Sequence, residues 1–327
     1  MLALLAALVT AGAAGDPEAS RGLAKLAVIQ GPIEVAGAAQ APKAGDDVDA
    51  GGTIKTPAGS RASLDFADGS ELRISENTEV TVVGPRKVDL KKGKVFLKIV
   101  KGPERFEIAS EHMPVFADVG LIEVEVVPKV PNEEPARTFI RVLEGVAKVA
   151  SKKFTAVVHA GFHITGLGSQ LNTPNPLRNG SLETAWIHPL LQERGRTDDE
   201  STTRAMELVQ ILGRETANDP AEAALRSLGD LSTAELLRFL NRSAGGAQAE
   251  RRGLAIRIIA ESGTLKSAPA LVSLLRDPEP EIRIAAAHGL GRLAGGKDLG
   301  FNDQFWKGET WDAGLKAWED WVKQNAK

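Results

Sequence analysis

The sequence predicts a mixed, two-domain chain: an all-β sandwich or roll followed by an all-α solenoid. Three observations predict it. From Leu23 to about Thr165, apolar residues recur at every second position, as in Leu64-Asp65-Phe66, Glu79-Val80-Thr81-Val82 and Glu123-Val124-Glu125-Val126. After about residue 182 the apolar period lengthens to that of a helix, as in Leu271, Leu274, Leu275 and Ile282, Ala286, Leu290, Leu293. Between the two, residues 167–181 are rich in Gly, Pro, Asn and Ser and carry no period. Period two turns one face of a strand inward, and period 3.6 does the same for a helix.

Taken in order, the first element is the apolar run Met1–Val9, followed by Ala11-Gly12-Ala13. It is too short for a stable membrane span and fits the small-x-small pattern of a cleaved export signal. Residues 1–14 are therefore expected to be removed, leaving a periplasmic or extracellular protein with no membrane span. The β domain is expected over 22–166. Turn residues punctuate it every 8–12 positions: Gly31-Pro32, Gly51-Gly52, Asp68-Gly69, Gly84-Pro85, Lys92-Gly93, Gly102-Pro103 and Glu144-Gly145. That spacing belongs to short antiparallel strands. Residues 167–181 read as a linker.

The α domain is expected over 182–327. Its helices are punctuated by Asp219-Pro220, Asp277-Pro278 and Gly295-Gly296, and Ser232-Thr233-Ala234-Glu235 reads as a capping box. The half repeats itself, with helix pairs near 201–229, 235–263 and 267–295. One pair cannot bury its apolar face alone, so stacking is required.

The segment SAPALVSLLRDPEPEIRIAAAHGLGRLAG, 267–295, resembles a HEAT repeat, with Asp277 and Pro278 at the turn and Arg283 at the internal basic position. The resemblance implies that Arg283 hydrogen-bonds the turn and the neighbouring repeat. The β half is similar to the FecR domain over about 25–165. The motifs that carry this are Asp46 and Gly51, Thr56 and Gly59, the triplet Asp68-Gly69-Ser70, and Gly93 and Gly145. The resemblance implies an envelope protein and supplies no catalytic residues.

Composition narrows the function further. Lys and Arg number 40 against 43 Asp and Glu, a net charge of −3, so no basic field for nucleic acid is present. There is no cysteine and no tyrosine, which excludes disulfides, thiolate metal sites and a tyrosine general acid. Asp46, Asp47 and Asp49 hint at a calcium loop, but the spacing of an EF-hand fails and a turn is the better reading. His159 and His163 fall on one face of a strand without a third ligand. His112, His188 and His288 are scattered, and Glu133-Glu134 and Asp198-Asp199 sit in polar turns. No catalytic residue, cofactor or metal is expected.

Trp306, Trp311, Trp318 and Trp321 crowd the C-terminus. Trp311, Leu315, Trp318 and Val322 share one helical face, as a solenoid cap or as a binding platform; the cap is the preferred reading. Phe66, Phe96, Phe106, Phe116, Phe139, Phe154 and Phe162 mostly lie in alternating runs and read as buried, which argues against a polysaccharide-binding surface. The function expected is a non-enzymatic envelope scaffold or sensor that binds another protein. The alternatives are a polysaccharide or cell-wall module, or a regulator of sigma-factor signalling acting with a membrane partner.

Overall fold

The computed structural model describes residues 22–38, 40–111, 113–129, 135–195, 197–214, 219–243, 248–299 and 309–326. The export signal expected at 1–14 lies outside them. The chain divides into two compact units, Met1–Pro176 and Leu177–Lys327.

The first unit contains β1 (Ala24–Gln30), β2 (Glu34–Val35), β3 (Asp47–Val48), β4 (Thr53–Thr56), β5 (Arg61–Phe66), β6 (Glu71–Ile74), β7 (Thr78–Gly84), β8 (Lys87–Ile99), β9 (Phe106–Ala109), β10 (Val115–Val127), β11 (Arg137–Ala150), β12 (Thr155–His159), β13 (Phe162–Leu167), β14 (Gln170–Leu171) and β15 (Asn175–Pro176). Pairing is antiparallel except for β8 with β9. Three long strands belong to two layers. The later part of β8 and of β10 and the early part of β11 continue the order β3-β1-β5-β6 toward β13. Their other parts join β7, β9 and β12. Leu64, Leu72, Leu97, Ile122 and Ile140 from one layer meet Ile54, Val80, Leu90, Val115 and Val158 from the other in a single core.

Folding one strand across two layers needs a corner, and glycine makes it. Gly120 of β10 pairs with Gly145 of β11, beside irregularities in the register. Their φ angles are 140° and 79°. A Cβ on Gly145 would stand 2.2 Å from the Val119 carbonyl oxygen, and one on Gly120 2.2 Å from that of Glu144.

The stretch 167–181 differs from the period-free linker expected. Gln170–Leu171 and Asn175–Pro176 pair with β13, because the chain folds back along a strand whose outer edge is otherwise open.

The second unit contains α1 (Gly180–Glu183), α2 (His188–Arg194), α3 (Asp199–Ile211), α4 (Pro220–Leu228), α5 (Asp230–Arg242), α6 (Ala249–Ser262), α7 (Ala268–Leu274), α8 (Pro280–Leu293) and α9 (Glu309–Asn325). The pairs α3–α4, α5–α6 and α7–α8 stack. One row runs α4, α6, α8, and the other carries α3 against α5 and α7 against α9. Local signals start several helices. Asp198 and Ser201 form a capping box at α3, and Asp219 accepts from the Ala221 N–H ahead of α4, with Pro220 at its first turn. The capping box expected at Ser232–Glu235 is absent. Gly229, at φ 54°, turns the chain out of α4 so sharply that α5 begins at Asp230. Ser232 is thereby inside the first turn and donates to the Gly229 carbonyl at 2.8 Å.

Candidate functional site

The motif residues of the β unit hold turns. Asp46 accepts from the Lys43 N–H at 2.7 Å, and the Gly51 N–H reaches the Val82 carbonyl at 2.8 Å. Thr56 donates to the Ser75 carbonyl at 2.5 Å and accepts from the Thr78 N–H at 3.3 Å. The Gly59 N–H donates to the Glu76 carboxylate at 2.7 Å. Gly93 passes directly against Thr78, with no room for a Cβ. In the Asp68-Gly69-Ser70 turn, Ser70 donates to Asp68 through its N–H at 2.8 Å and its hydroxyl at 2.9 Å. The buried Arg86 closes this turn. It pairs with Asp68, donates to the Val100 carbonyl at 2.9 Å and lies 5.7 Å from the Phe106 ring centre.

A second set of buried charges crosses the sheet on the face away from the core. Strand register places Ser63, Arg73, Phe96, Glu123, Arg141 and His163 side by side on successive strands. Arg73 donates to both oxygens of Glu71 at 2.7 and 3.0 Å and stands 5.3 Å from the Phe96 ring centre. Arg141 pairs with Glu123 and lies 3.6 Å from Glu125. Opposite signs alternate along the row, so it largely neutralises itself. Alternation in sequence does not show this row, because Glu123 and Arg73 occupy positions that read as solvent-facing.

Arginines also join the helical repeats. Arg252 of α6 donates to both oxygens of Asp277 in the α7–α8 turn and to the Leu240 carbonyl at the end of α5. Arg283 stands at the same place in α8 and donates to the carbonyls of Asp277 and Pro278 at 2.8 and 2.9 Å. Arg251 reaches back to the Leu212 carbonyl at 2.7 Å and Arg292 to that of Ala260 at 2.8 Å. Arg251, Arg252 and Arg292 thus satisfy carbonyls that a helix end leaves open, and Arg283 holds those of the α7–α8 turn. At the C-terminus, Trp318 is buried and meets Trp321 edge to face at 5.6 Å. Trp306 and the side chain of Trp311 lie outside the described residues.

The chemistry-bearing candidates do not converge. Asp47 pairs with Lys25 and Asp49 accepts from the Gly22 N–H at 2.7 Å, so the three aspartates serve different partners. His159 and His163 do not share a strand face. A turn at Ala160-Gly161, with Gly161 at φ 79°, puts them on β12 and β13. His188 is buried on Ser227 and the Ala224 carbonyl, and His288 is exposed on α8. His112 and Glu133-Glu134 lie outside the described residues. Among the described residues no three His, Asp or Glu side chains are placed to hold a metal ion. A depression of about 170 Å³ lies beside Gln192, Asp230 and Lys266, and Asp230 there is taken up by the Thr264 N–H, at 2.9 Å, and the Thr264 hydroxyl.

The surface does hold one unusual feature. Phe154 and Phe162, expected to be buried, are 61% and 38% exposed. Phe154 sits in the turn before β12, and Phe162 opens β13 next to Pro176 at its edge, where the inward side of the strand runs out of cover. Val157 and Val146 are exposed beside them on the outer face of β12 and β11.

No curated protein matches the chain. Two crystal structures of an anti-sigma factor candidate from Parabacteroides distasonis ATCC 8503, at 2.50 and 1.65 Å resolution, are similar to it at 15% and 14% identity, each with a TM-score of 0.36. Each match covers 42% of this chain and 64% of that one, so the chain spans just under two thirds of their length. No helix among the described residues is long and apolar enough to cross a membrane. The family described as FecR protein matches residues 52–148, and the family described as HEAT repeats matches residues 243–299. The chain therefore carries a FecR domain followed by HEAT repeats.

Proposed function

We propose that the chain is a protein-binding module of the cell envelope, a scaffold or sensor rather than an enzyme. The observation that carries this is how the buried charges are used. Arg86 and Arg252 are each held by carboxylates and carbonyls of their own fold, and Arg73 by Glu71. They hold turns, strands and repeats in place and form no reactive centre. What the fold offers to other molecules is its exposed surface, where charge and shape select a partner. Stacked helical repeats work in this way because they present extended faces. Export across the inner membrane belongs to the same proposal and rests on the N-terminal apolar run.

The FecR match at 52–148 favours a second reading, a regulator of sigma-factor signalling acting with a membrane partner. The polysaccharide reading draws less support. Phe154 and Phe162 are exposed, but β12 separates them by roughly 20 Å along the chain, too far to stack one sugar unit between them.

The test is cross-linking of the full chain in envelope extract, followed by mass spectrometry, together with assays on ester, phosphate and glycoside substrates. The proposal expects one recurrent protein, linked to the same surface lysines in every replicate, and no turnover. Dose-dependent turnover of any of the three substrates overturns it.

A further inference from the structure

We infer that the outer edge of β12 is a docking site for an extended acidic segment of a partner protein, added as one more strand. This rests on the protein-binding reading above and names where and by what chemistry the partner binds.

The first observation is the edge itself. Among the described residues β12 pairs with β11 alone. The Ala160 N–H donates to the Gly145 carbonyl, and the Phe154 carbonyl accepts from the Ser151 N–H. Hydrogen bonding in an antiparallel pair alternates, so Ala156 and Val158 also face β11. The N–H and C=O groups of Thr155, Val157 and His159 therefore point away from the sheet. Other strands at the ends of the order, β2, β3, β14 and β15, are two residues each. The edge of β1 beyond β3 is only half exposed, whereas Thr155, Val157 and His159 are all exposed. Natural edges are usually blunted by a charge or proline within the strand, and Thr155–His159 has neither.

The second observation is the side chains along that edge. Val157 is 45% exposed, directly across from Lys148 and diagonal to Val146. The exposed Phe154, Lys152 and Lys153 sit at the head of the strand. An incoming strand would thus meet an apolar stripe flanked by ammonium groups.

The third observation is charge. From Gly145 to Leu182 there is no Asp or Glu, in a chain that has 43 of them. Lys148, Lys152 and Lys153 fall in the part of that stretch that belongs to the β unit. The complement is a strand with carboxylates alternating with aliphatic residues. The same charge disfavours a second copy of this chain, which would bring the lysines of two edges together. Strand addition takes affinity from main-chain hydrogen bonds and specificity from alternate side chains.

The experiment uses the full chain and a fluorescein-labelled heptapeptide of alternating Glu and Val, read by anisotropy at low salt. A Lys/Val heptapeptide is the comparison. The expected result is binding of the Glu/Val peptide, at least tenfold tighter than the Lys/Val peptide, weakening as salt screens the lysines, with NMR shifts in the amides of Thr155, Val157 and His159. Val157→Pro removes an outward donor without touching the β11 ladder and should lower affinity at least tenfold at unchanged melting temperature. Should the proline unfold the strand, Val157→Glu alters only an exposed side chain and should weaken the Glu/Val peptide's binding at least tenfold, because it sets a carboxylate against the peptide's own. Lys152→Glu with Lys153→Glu should reverse the peptide preference. Equal affinity in folded Val157→Pro, equal binding of both peptides, or self-association that Val157→Pro abolishes each overturns the inference. An envelope partner that still cross-links while the peptide fails to bind overturns the edge and leaves the protein-binding reading standing.

Discussion

Arg252 Nη2 donates to both carboxylate oxygens of Asp277, at 2.9 and 2.8 Å, across 25 residues of chain. The arginine is fully buried, and the pair fastens α6 to the turn of the next repeat. Removing one partner from a buried pair strands the other charge, at about 3 kcal/mol. Arg252 would keep Glu279 at 3.2 Å and the Leu240 carbonyl, so Asp277→Ala is expected to destabilise the helical unit by less than that, about 2 kcal/mol. Arg252→Met should cost less, because Asp277 keeps the Glu279 N–H at 3.0 Å. The double variant should lose less than the sum of the two, which urea unfolding of all three proteins measures.

The corner of β10 and β11 gives a cleaner comparison. Gly145 and Gly161 share a φ of 79°. A Cβ on Gly145 would collide with the Val119 carbonyl, but one on Gly161 would meet open space. Gly161→Ala thus tests backbone strain alone, and about 1 kcal/mol is expected. Gly145→Ala adds a clash between main chains and should cost at least about 2 kcal/mol more. Equal losses in the two variants would mean that the corner tolerates a side chain.

Local features were legible in the sequence, and long-range ones were not. Alternation at Glu79–Val82 and the helical period at Ile282–Leu293 follow from residues a few places apart, and the structure has β7 and α8 there. The Asp68-Gly69-Ser70 turn was equally plain. Its partner Arg86 lies 18 residues on and carries no local signal. The same holds for Arg73, Phe96 and Glu123, which only strand register brings together. His159 and His163 share a face only on one unbroken strand, and the turn at Ala160-Gly161 between them breaks it. Phe154 and Phe162 show the limit of alternation: it assigns a face and does not say whether anything covers that face.

The pH dependence of the β unit should carry the mark of Glu79. A hydrogen bond from Lys91, at 3.1 Å, holds its pKa below the usual glutamate range; burial opposes the shift, and Lys55 and Lys92 add to it. A lowered carboxyl pKa stabilises the fold above the unfolded value, near 4.3, and that stabilisation is lost as pH falls through the folded pKa. Lys91 is largely exposed, so Lys91→Ala should cost only about 0.5 kcal/mol at neutral pH. The difference between variant and parent should vanish at the acid end. Unfolding at pH 7 and at pH 3, with an NMR titration of Glu79, checks both the size and the sign.

Trp318 decides what the aromatic C-terminus is for. Its side chain is 1% exposed on α9, the helix that packs on α7 and whose Glu319 accepts at 2.6 Å from Arg276 in the turn after α7. A stacking platform needs an open ring face, and Trp318 has none, whereas a cap needs a large apolar side chain where the row of helices would otherwise end. Trp318→Ala should therefore cost about 3–5 kcal/mol, as for other buried aromatics, and lower the melting point of the helical unit by roughly 10 °C. Trp321 is only partly buried and meets Trp318 edge to face. Trp321→Ala should lose that contact, about 1 kcal/mol, and little more. Thermal melts of the two variants separate the roles. Comparable and small losses would mean that α9 does not close the stack, and that its tryptophans are available to a ligand.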